Sequence, residues 1–350
     1  MTNNFSFKPK IALLALITSL AAGGDVAQYT SAGELPTNVC KMVEPAPELK
    51  KELKSKLAFI DDVSAFGVEQ FGLEESPHYA KYYDNPLSRD TLYLLFVTSP
   101  LYLPESWSPQ RIPIEKDQEY REPLNGFAFF NSFTDKLDDE KEYYQKQGYD
   151  VYRRFTTDYS LTNGLKGAPI TKEFLQQDKN QQAQTIFHEN CHYWTAGWVG
   201  AHFSDLLKES FCQVVGYSGA ADYFKERRGT SSPDYLNAVY RLKWYENYVQ
   251  KLGGCYSRLQ EIYNNKKTTS QEKLKQREEI LREARKTFGK ETNNALLWDQ
   301  YPYAKYFPLL LKFHESHGGN LRATLEKMKG CPEEEQAALK YIRKKMGSKK

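Results

Sequence analysis

Two histidines four positions apart are the first feature of this sequence that can do chemistry. His188 and His192 lie in the segment Gln184–Tyr193, where a helix would place both imidazoles on one face and let them bind a single metal ion. Glu189 follows the first histidine and lies one residue round from that face. A carboxylate there can hold a water molecule that zinc polarises, take its proton and return it to a leaving amine. The segment therefore predicts a zinc site that hydrolyses amide bonds.

A catalytic zinc needs a third protein ligand and one open position for water. Glu209 lies seventeen residues after His192 and opens a second helical segment with an apolar face. A loop through Gly197 and Gly200 can reverse the chain over that distance, so that Glu209 returns antiparallel to the first helix. Asp205 is the competing carboxylate, but it precedes the apolar segment and is typical of a helix cap. We predict one Zn²⁺ per chain, bound by the two histidines and Glu209, because such a set is established in catalytic sites.

Other interpretations of the same residues stay open. The motif could be an ordinary helix that contains two histidines and a glutamate. The zinc could instead serve structure in a non-catalytic envelope protein that binds or scaffolds other molecules. If the site is hydrolytic, an aminopeptidase and an endopeptidase are both compatible with it. No pattern in the sequence marks the residues that would bind a free ammonium group, so the aminopeptidase and the endopeptidase stay alternatives.

The segments around the motif predict an α+β fold. From Glu48 to Phe71, apolar residues recur at helical spacing and predict a first helix. Runs rich in Tyr, Phe, Val and Thr between turn residues are typical of short strands, which would form a small N-terminal sheet. These runs are Thr91–Val97, Gly126–Phe130 and Asp150–Thr157.

Beyond Gly167 the sequence changes to long helical periods, so the second half, which carries the zinc helix, is predicted to be mainly helical. An apolar stripe from Leu242 to Tyr263 and a charged helical segment at Ser270–Phe288 flank a polar turn. They predict an antiparallel helical hairpin. We divide the chain into a signal peptide at 1–24, a linker at 25–47, an N-terminal α+β part at 48–170 and a helical zinc part at 171–345, with 48–345 forming one catalytic domain.

The N-terminus is typical of a secretion signal: basic Lys8 and Lys10 precede the apolar run Ile11–Leu20 and the small residues at 21–24. The apolar run is too short to span a bilayer comfortably, and an uncleaved anchor is the alternative. We expect an exported protein, periplasmic or secreted, with no stable membrane insertion after cleavage. Export would allow one or two disulfides among the five cysteines, Cys40, Cys191, Cys212, Cys255 and Cys331.

Charge and composition narrow the class of partner. Basic and acidic residues nearly cancel, to a net charge of +3, which gives no electrostatic reason to expect nucleic acid or an anionic membrane surface as partner. Tyrosine is abundant, with 25 residues, which is compatible with an aromatic peptide groove. We expect a peptide or protein substrate and no nucleic acid.

At the zinc motif the sequence resembles the gluzincins, the zinc peptidases that combine His-Glu-x-x-His with a downstream Glu. It is similar in particular to a bacterial family of envelope proteins described as putative aminopeptidases, over a stretch from about Leu53 to Lys329. The matching pieces are Phe66–Leu73, Gly148–Tyr152, Asp158–Leu161, Ile186–His192, Glu209–Phe211 and Asn293–Ala295, followed by Tyr303 and Pro308.

This resemblance implies a zinc-dependent peptidase that acts on free N-termini. The sequence departs from the family pattern at Asn190-Cys191, where an apolar residue and alanine are usual, and at Lys208, where asparagine commonly precedes the ligand glutamate. Both departures leave the ligands intact. They bear on substrate preference.

Two tyrosines complete the predicted site. Tyr303 lies at a family-matched position, where a phenol beside the zinc could stabilise the oxyanion of a tetrahedral intermediate. It also belongs to an aromatic cluster with Tyr301 and Tyr306, for which packing is the alternative role. Tyr159 ends a predicted strand, where it could help an edge strand to bind an extended substrate, or could be a buried aromatic residue of the sheet.

Overall fold

The computed structural model describes residues 47–80, 82, 92–104, 110–111, 127–131, 134–156, 170–198 and 204–347. The predicted signal peptide, the linker up to residue 46, Cys40 and Tyr159 lie outside the described residues. Within the described ranges, no helix combines the length and the apolar character needed to cross a bilayer.

The first helix, α1, runs over Pro47–Phe66 and continues as a wider π-helical turn at Gly67–Phe71. Gly72 ends it with a positive φ of 77°, a conformation that glycine adopts without strain. Phe66 and Phe71 both lie against the ring of Phe187, at centroid distances of 6.4 and 5.3 Å. The predicted helix over Glu48–Phe71 is thereby confirmed, and its end packs against the residue that precedes His188.

A four-stranded sheet forms the β part, with the strand order β2-β3-β1-β4. Its strands are β1 at Leu92–Thr98, β2 at Gln110–Arg111, β3 at Phe127–Asn131 and β4 at Asp150–Thr156. β1 pairs antiparallel with both β3 and β4, whereas the short β2 is parallel to β3. The three predicted strands are present within one or two residues of their predicted bounds.

The helix α2 at Thr134–Lys146 follows β3, and it was not predicted from the sequence. Its residues are mostly charged, so they lack the regular apolar spacing that reveals an amphipathic helix. An ion pair between Asp138 of α2 and Arg153 of β4 joins the helix to the sheet. β2 was also missed, because two residues are too few for any period.

The rest of the described chain is helical, as predicted for the second half. After a short 3₁₀ turn at Phe174–Gln176 come α3 at Lys179–Trp198, α4 at Asp205–Arg228, α5 at Pro233–Asn264, α6 at Ser270–Phe288, α7 at Asn294–Ala304, α8 at Phe307–Ser316, α9 at Leu321–Met328 and α10 at Glu335–Gly347. A continuous hydrophobic core extends from Ile60 in α1 to Ile342 in α10. The molecule is therefore an α+β protein in which helices predominate.

The helices α5 and α6 form the predicted hairpin. Thr269 caps α6 through a reciprocal pair of hydrogen bonds with Glu272, which satisfies backbone N–H groups at the start of the helix. Lys273 donates a hydrogen bond to the carbonyl of Tyr263 at the end of α5. The polar turn is thereby fixed at both of its ends.

The expectation of disulfides is not met in the described chain. Cys191, Cys212, Cys255 and Cys331 are all buried and all carry free thiols. Cys191 and Cys212 are completely buried between α3 and α4.

Candidate active site

α3 carries both histidines of the motif on the face that it turns towards α4. His188 and His192 lie one turn apart, and their Nε2 atoms are 3.0 Å from each other. Both residues are buried, with 8 % of their surface exposed. Beside His188, Phe187 packs against Phe66 and Phe71 of the first helix, so aromatic contacts fix the orientation of α3.

α4 returns alongside α3 and brings Glu209 to the histidines. Its Oε2 atom lies 3.2 Å from Nε2 of His192 and 3.5 Å from Nε2 of His188. The predicted antiparallel return of Glu209 is what the structure shows. His188, His192 and Glu209 form a group of residues whose ligand atoms lie within metal-binding distance of one another.

Glycines in α4 allow the two helices to approach this closely. A Cβ atom on Gly216 would lie 2.8 Å from the backbone oxygen of Gln184 and 3.3 Å from Cβ of His188. A Cβ atom on Gly219 would lie 2.9 Å from the ring of Phe187. The distances of 2.8 and 2.9 Å are too short for a real Cβ atom, so only glycine permits this spacing between α3 and α4.

The spacing of the three donor atoms suits a zinc ion. Tetrahedral zinc with bonds of about 2.0 to 2.1 Å holds its ligand atoms about 3.3 Å apart. The observed separations are 3.0, 3.2 and 3.5 Å. Two imidazole nitrogens and a carboxylate oxygen that face one another in this way repel unless a proton or a cation lies among them, and zinc accepts this donor set.

The ionisation of these residues reflects their mutual proximity. Burial opposes the ionisation of Glu209, but the facing His192 and His188 outweigh it and hold the pKa of Glu209 well below its usual value. Burial likewise opposes protonation of His192, yet the neighbouring Cys212 and Glu209 raise its pKa well above the usual value. The pocket thus favours a positive charge next to the Glu209 carboxylate, which is the charge that a cation would supply.

Glu189 and Asp205, the other two carboxylates considered from the sequence, occupy different positions. Glu189 follows His188 directly on α3 and is only partly exposed. Asp205 is exposed at the start of α4, where it pairs with Lys208 at 2.9 Å and Ser204 occupies the N-cap position. Asp205 is not among the residues of the metal-binding group.

Tyr303 comes to the same place from α7. Its ring centroid lies 6.1 Å from that of His188. The two other tyrosines of the cluster point elsewhere: Tyr301 stacks on Tyr256 at 3.7 Å, and Tyr306 donates a hydrogen bond to Glu335. The structure therefore separates Tyr303, beside a histidine of the motif, from its neighbours, which serve packing and inter-helix contacts.

Ser210 links the ligand helix to the tyrosine helix. Its hydroxyl donates a hydrogen bond of 2.7 Å to the carbonyl of Pro302 and accepts one of 3.1 Å from the N–H of Tyr306. Because Ser210 follows Glu209 directly, these bonds fix Tyr303 relative to Glu209. The matched piece Glu209–Phe211 thus contains both a candidate ligand and the residue that positions α7.

The start of α7 is fixed to the sheet by the matched asparagines. Asn293 caps the helix at the N–H of Leu296 and donates a hydrogen bond to the carbonyl of Val151 on β4. The side chain of the buried Asn294 accepts a hydrogen bond from the Tyr263 hydroxyl, and its backbone N–H donates one to the Asp150 carboxylate. These contacts place α7 between the sheet and α4. The helix α7 thereby connects the sheet to the site.

Sequence reasoning missed three polar residues near the site: Arg154, Asp299 and His78. Arg154 on β4 forms an ion pair with the fully buried Asp299 of α7, with Nη1 and Oδ1 3.2 Å apart. His78 is also buried; burial and the nearby His192 lower its pKa to about 4. None of the three belongs to a motif. The available signal was an ionisable side chain at a strand or helix position where an apolar residue is expected. Tyr159 lies outside the described residues.

Comparison with known proteins assigns the chain to a family. No curated protein and no solved structure gave a match. The model of a family described as "Putative aminopeptidase" matches residues 37–339, which is most of the chain and includes every residue of the site. The chain therefore belongs to the putative aminopeptidase family.

Proposed function

We propose that this protein is a zinc-dependent peptidase of the gluzincin type. The observation that carries the proposal is the convergence of Nε2 of His188, Nε2 of His192 and Oε2 of Glu209 at separations of 3.0 to 3.5 Å. Membership of the aminopeptidase family supports peptidase activity independently of this geometry. His188, His192 and Glu209 would hold one Zn²⁺ per chain.

Each residue then has a defined role in hydrolysis. A bound zinc ion would act as a Lewis acid towards water and the substrate carbonyl. Glu189 takes a proton from the attacking water and delivers it to the leaving amine, as a positioned general base and acid does. The phenol of Tyr303 donates a hydrogen bond to the carbonyl oxygen while negative charge develops on it.

The choice of substrate separates the candidate activities. We propose cleavage at free N-termini, because the family is described as aminopeptidases. Matched peptides with free and acetylated N-termini, incubated with the zinc-loaded protein, test this. Cleavage of only the free peptides supports an aminopeptidase, and equal cleavage of both indicates an endopeptidase. No cleavage of either, with zinc bound, favours the non-catalytic scaffold.

We also propose that the chain is exported and loses its N-terminal segment, on the basis of the basic and apolar pattern at 1–24. Mass spectrometry of the protein from its native compartment should find a chain that begins between Gly24 and Gln28. An intact Met1 in a soluble cytoplasmic fraction would contradict export.

Replacement of Glu189 by glutamine tests the mechanism. Glutamine keeps the shape of the side chain but cannot accept the proton of water. A general base contributes about a hundredfold to ten-thousandfold to the rate, so Glu189→Gln should lose at least that much kcat while it binds zinc normally.

Replacement of Asp205 by asparagine is the matched control, because Asp205 is a nearby carboxylate that lies outside the metal-binding group. Asp205→Asn should keep both its zinc and its activity. Equal rates for the parent and Glu189→Gln at matched zinc occupancy would assign the hydrolysis to another site or to a contaminant.

A further inference from the structure

A buried ion pair connects the sheet to the candidate active site. Asp299 of α7 is completely buried, and its carboxylate lies 3.2 Å from the guanidinium of Arg154, whose side chain is 23 % exposed. Gln300 donates a hydrogen bond of 2.6 Å to the other oxygen of the same carboxylate. Asp299 thus holds Arg154 at a defined position on the inner surface of β4.

Arg154 reaches Tyr303 from β4. Its guanidinium carbon is 6.0 Å from the centroid of the Tyr303 ring and 5.9 Å from that of Phe96. Burial raises the pKa of the Tyr303 phenol, whereas Arg154 lowers that pKa through its charge and through a hydrogen bond to the phenol. Arginine has only donors, so the phenol oxygen must accept this bond. The phenol's own proton is then left to donate to another group.

Stability alone is a weak reason for such a pair. Burial of two charges costs free energy that their attraction often fails to recover, and well-packed apolar residues of similar size are frequently as stable. The pair does, however, hold the Arg154 side chain in a fixed direction against Tyr303. A donor that is already oriented stabilises a developing oxyanion without reorganisation.

We propose that Arg154, held by Asp299, is a positioning residue that orients the Tyr303 phenol so that its proton points at the substrate carbonyl oxygen. The positive charge of Arg154 also makes the phenol a stronger hydrogen-bond donor. This inference rests on the proposed function, because it assigns a role within the same hydrolytic site. Arg154 itself is not expected to touch the substrate.

Replacement of the pair as a unit tests the role of Arg154. Arg154→Met alone would leave Asp299 buried and uncompensated, and the protein could fail to fold. The double variant Arg154→Met/Asp299→Leu removes both charges together. We expect it to retain zinc and the melting temperature of the parent, and to lose about a hundredfold to a thousandfold in kcat with little change in KM, as when an oxyanion donor is removed.

A second ion pair on the same strand is the matched control. Arg153 is the neighbour of Arg154 on β4 and pairs with Asp138 of α2. Adjacent residues of a strand point to opposite faces of the sheet, so Arg153→Met/Asp138→Leu alters the other face. This control should keep the kcat of the parent.

The decisive measurement is whether the loss of kcat in the double variant and the loss in Tyr303→Phe are independent of each other. If Arg154 acts through Tyr303, adding Tyr303→Phe to the double variant should cause no further loss of kcat. Both variants should also bind a phosphinic peptide, a mimic of the tetrahedral intermediate, more weakly than the parent by a similar factor in calorimetry. Multiplicative losses of kcat would overturn the proposal. A rise in KM confined to peptides with a free C-terminal carboxylate would also overturn it, because Arg154 would then bind substrate directly.

The failure of this inference can be told apart from failure of the proposed function. If the parent has no peptidase activity, or if Glu189→Gln has the activity of the parent, the proposed function fails. If the parent is active and Glu189→Gln is not, while the Arg154→Met/Asp299→Leu variant keeps full kcat, only the positioning role of Arg154 fails.

Discussion

The two sides of the candidate site are assembled in different ways. On the helix side, His188, His192 and Glu209 come from two consecutive helices within a stretch of 22 residues, from 188 to 209. On the sheet side, Arg154 comes from β4, whereas Asp299 and Tyr303 come from α7, about 145 residues later in the chain. The first group depends on local helix geometry, and the second depends on how distant elements pack.

This difference has a physical consequence for each side. The periodicity of a helix fixes the relation between His188 and His192 as soon as the helix forms. The relation between Arg154 and Tyr303 needs the asparagine contacts at the start of α7 and the bonds of Ser210. We expect the helix side to determine whether metal is bound and the sheet side to determine kcat once metal is bound.

Loss of a ligand on the helix side should have the largest effect. In His192→Ala, the set of donors falls to two, which is too few for a catalytic zinc site. Elemental analysis of protein purified without added metal should find near-stoichiometric zinc in the parent and little in the variant, and hydrolysis should fall to background. A His192→Ala protein that holds zinc as well as the parent would refute the ligand assignment.

Loss of the phenol on the sheet side should have a smaller effect and leave metal binding intact. Tyr303→Phe removes one hydrogen-bond donor, and removal of an oxyanion donor typically lowers kcat about a hundredfold to a thousandfold. Zinc content should equal that of the parent. Tyr301→Phe is the control, since Tyr301 stacks on Tyr256, whereas Tyr303 is the tyrosine that lies beside His188. Loss of zinc in Tyr303→Phe would mean that the two sides are not separable.

The same difference explains how much could be predicted from the sequence. The spacing of His188 and His192 predicted one helix face with Glu189 next to it, and the distance to Glu209 allowed one antiparallel return, so the helix side could be predicted. The three longer strands and the helical hairpin also carried regular patterns. Arg154 and Asp299 carried none, because the contact between them depends on long-range packing. The helix α2 was not predicted, because its many charged residues leave too few apolar positions to show helical periodicity.

The close approach of α3 and α4 provides a test at the level of stability. A methyl group at position 216 would lie 2.8 Å from the backbone of α3 and would push the helices apart. We expect Gly216→Ala to destabilise the protein by about 1 to 3 kcal/mol, the usual cost of overpacking, and to weaken zinc binding because the separation of Glu209 from the histidines grows. Urea unfolding and zinc titration measure the two effects.

The control for this change is Gly254→Ala on α5, where a Cβ atom meets nothing within 4 Å. Because alanine favours the helix by up to about 1 kcal/mol over glycine, this variant should be slightly more stable than the parent and should bind zinc normally. If Gly216→Ala behaved like Gly254→Ala, close packing of α3 and α4 would not be what brings Glu209 into place.

A second carboxylate on α4 gives the smallest and most pH-dependent prediction. Glu209 faces two histidines that keep it ionised, whereas Asp222, three turns or more further along, is half-buried and burial raises its pKa to about 6, against a small lowering by Lys225. The folded state therefore holds the Asp222 proton more tightly than the unfolded state, whose pKa is about 3.9. Stability from this group is complete below pH 3.9 and is lost as the pH rises to about 6.

Asp222→Asn removes that loss, since the amide stays neutral at every pH. The variant should be more stable than the parent at pH 8, by about 1 to 3 kcal/mol from a shift of this size, and the difference should shrink towards zero near pH 4. Urea unfolding at both pH values measures it, with the exposed Glu226→Gln on the same helix as control. An Asp222→Asn effect of equal size at pH 4 and pH 8 would show that burial does not disfavour the charged form there. The contrast with Glu209 would then need another cause than the facing histidines.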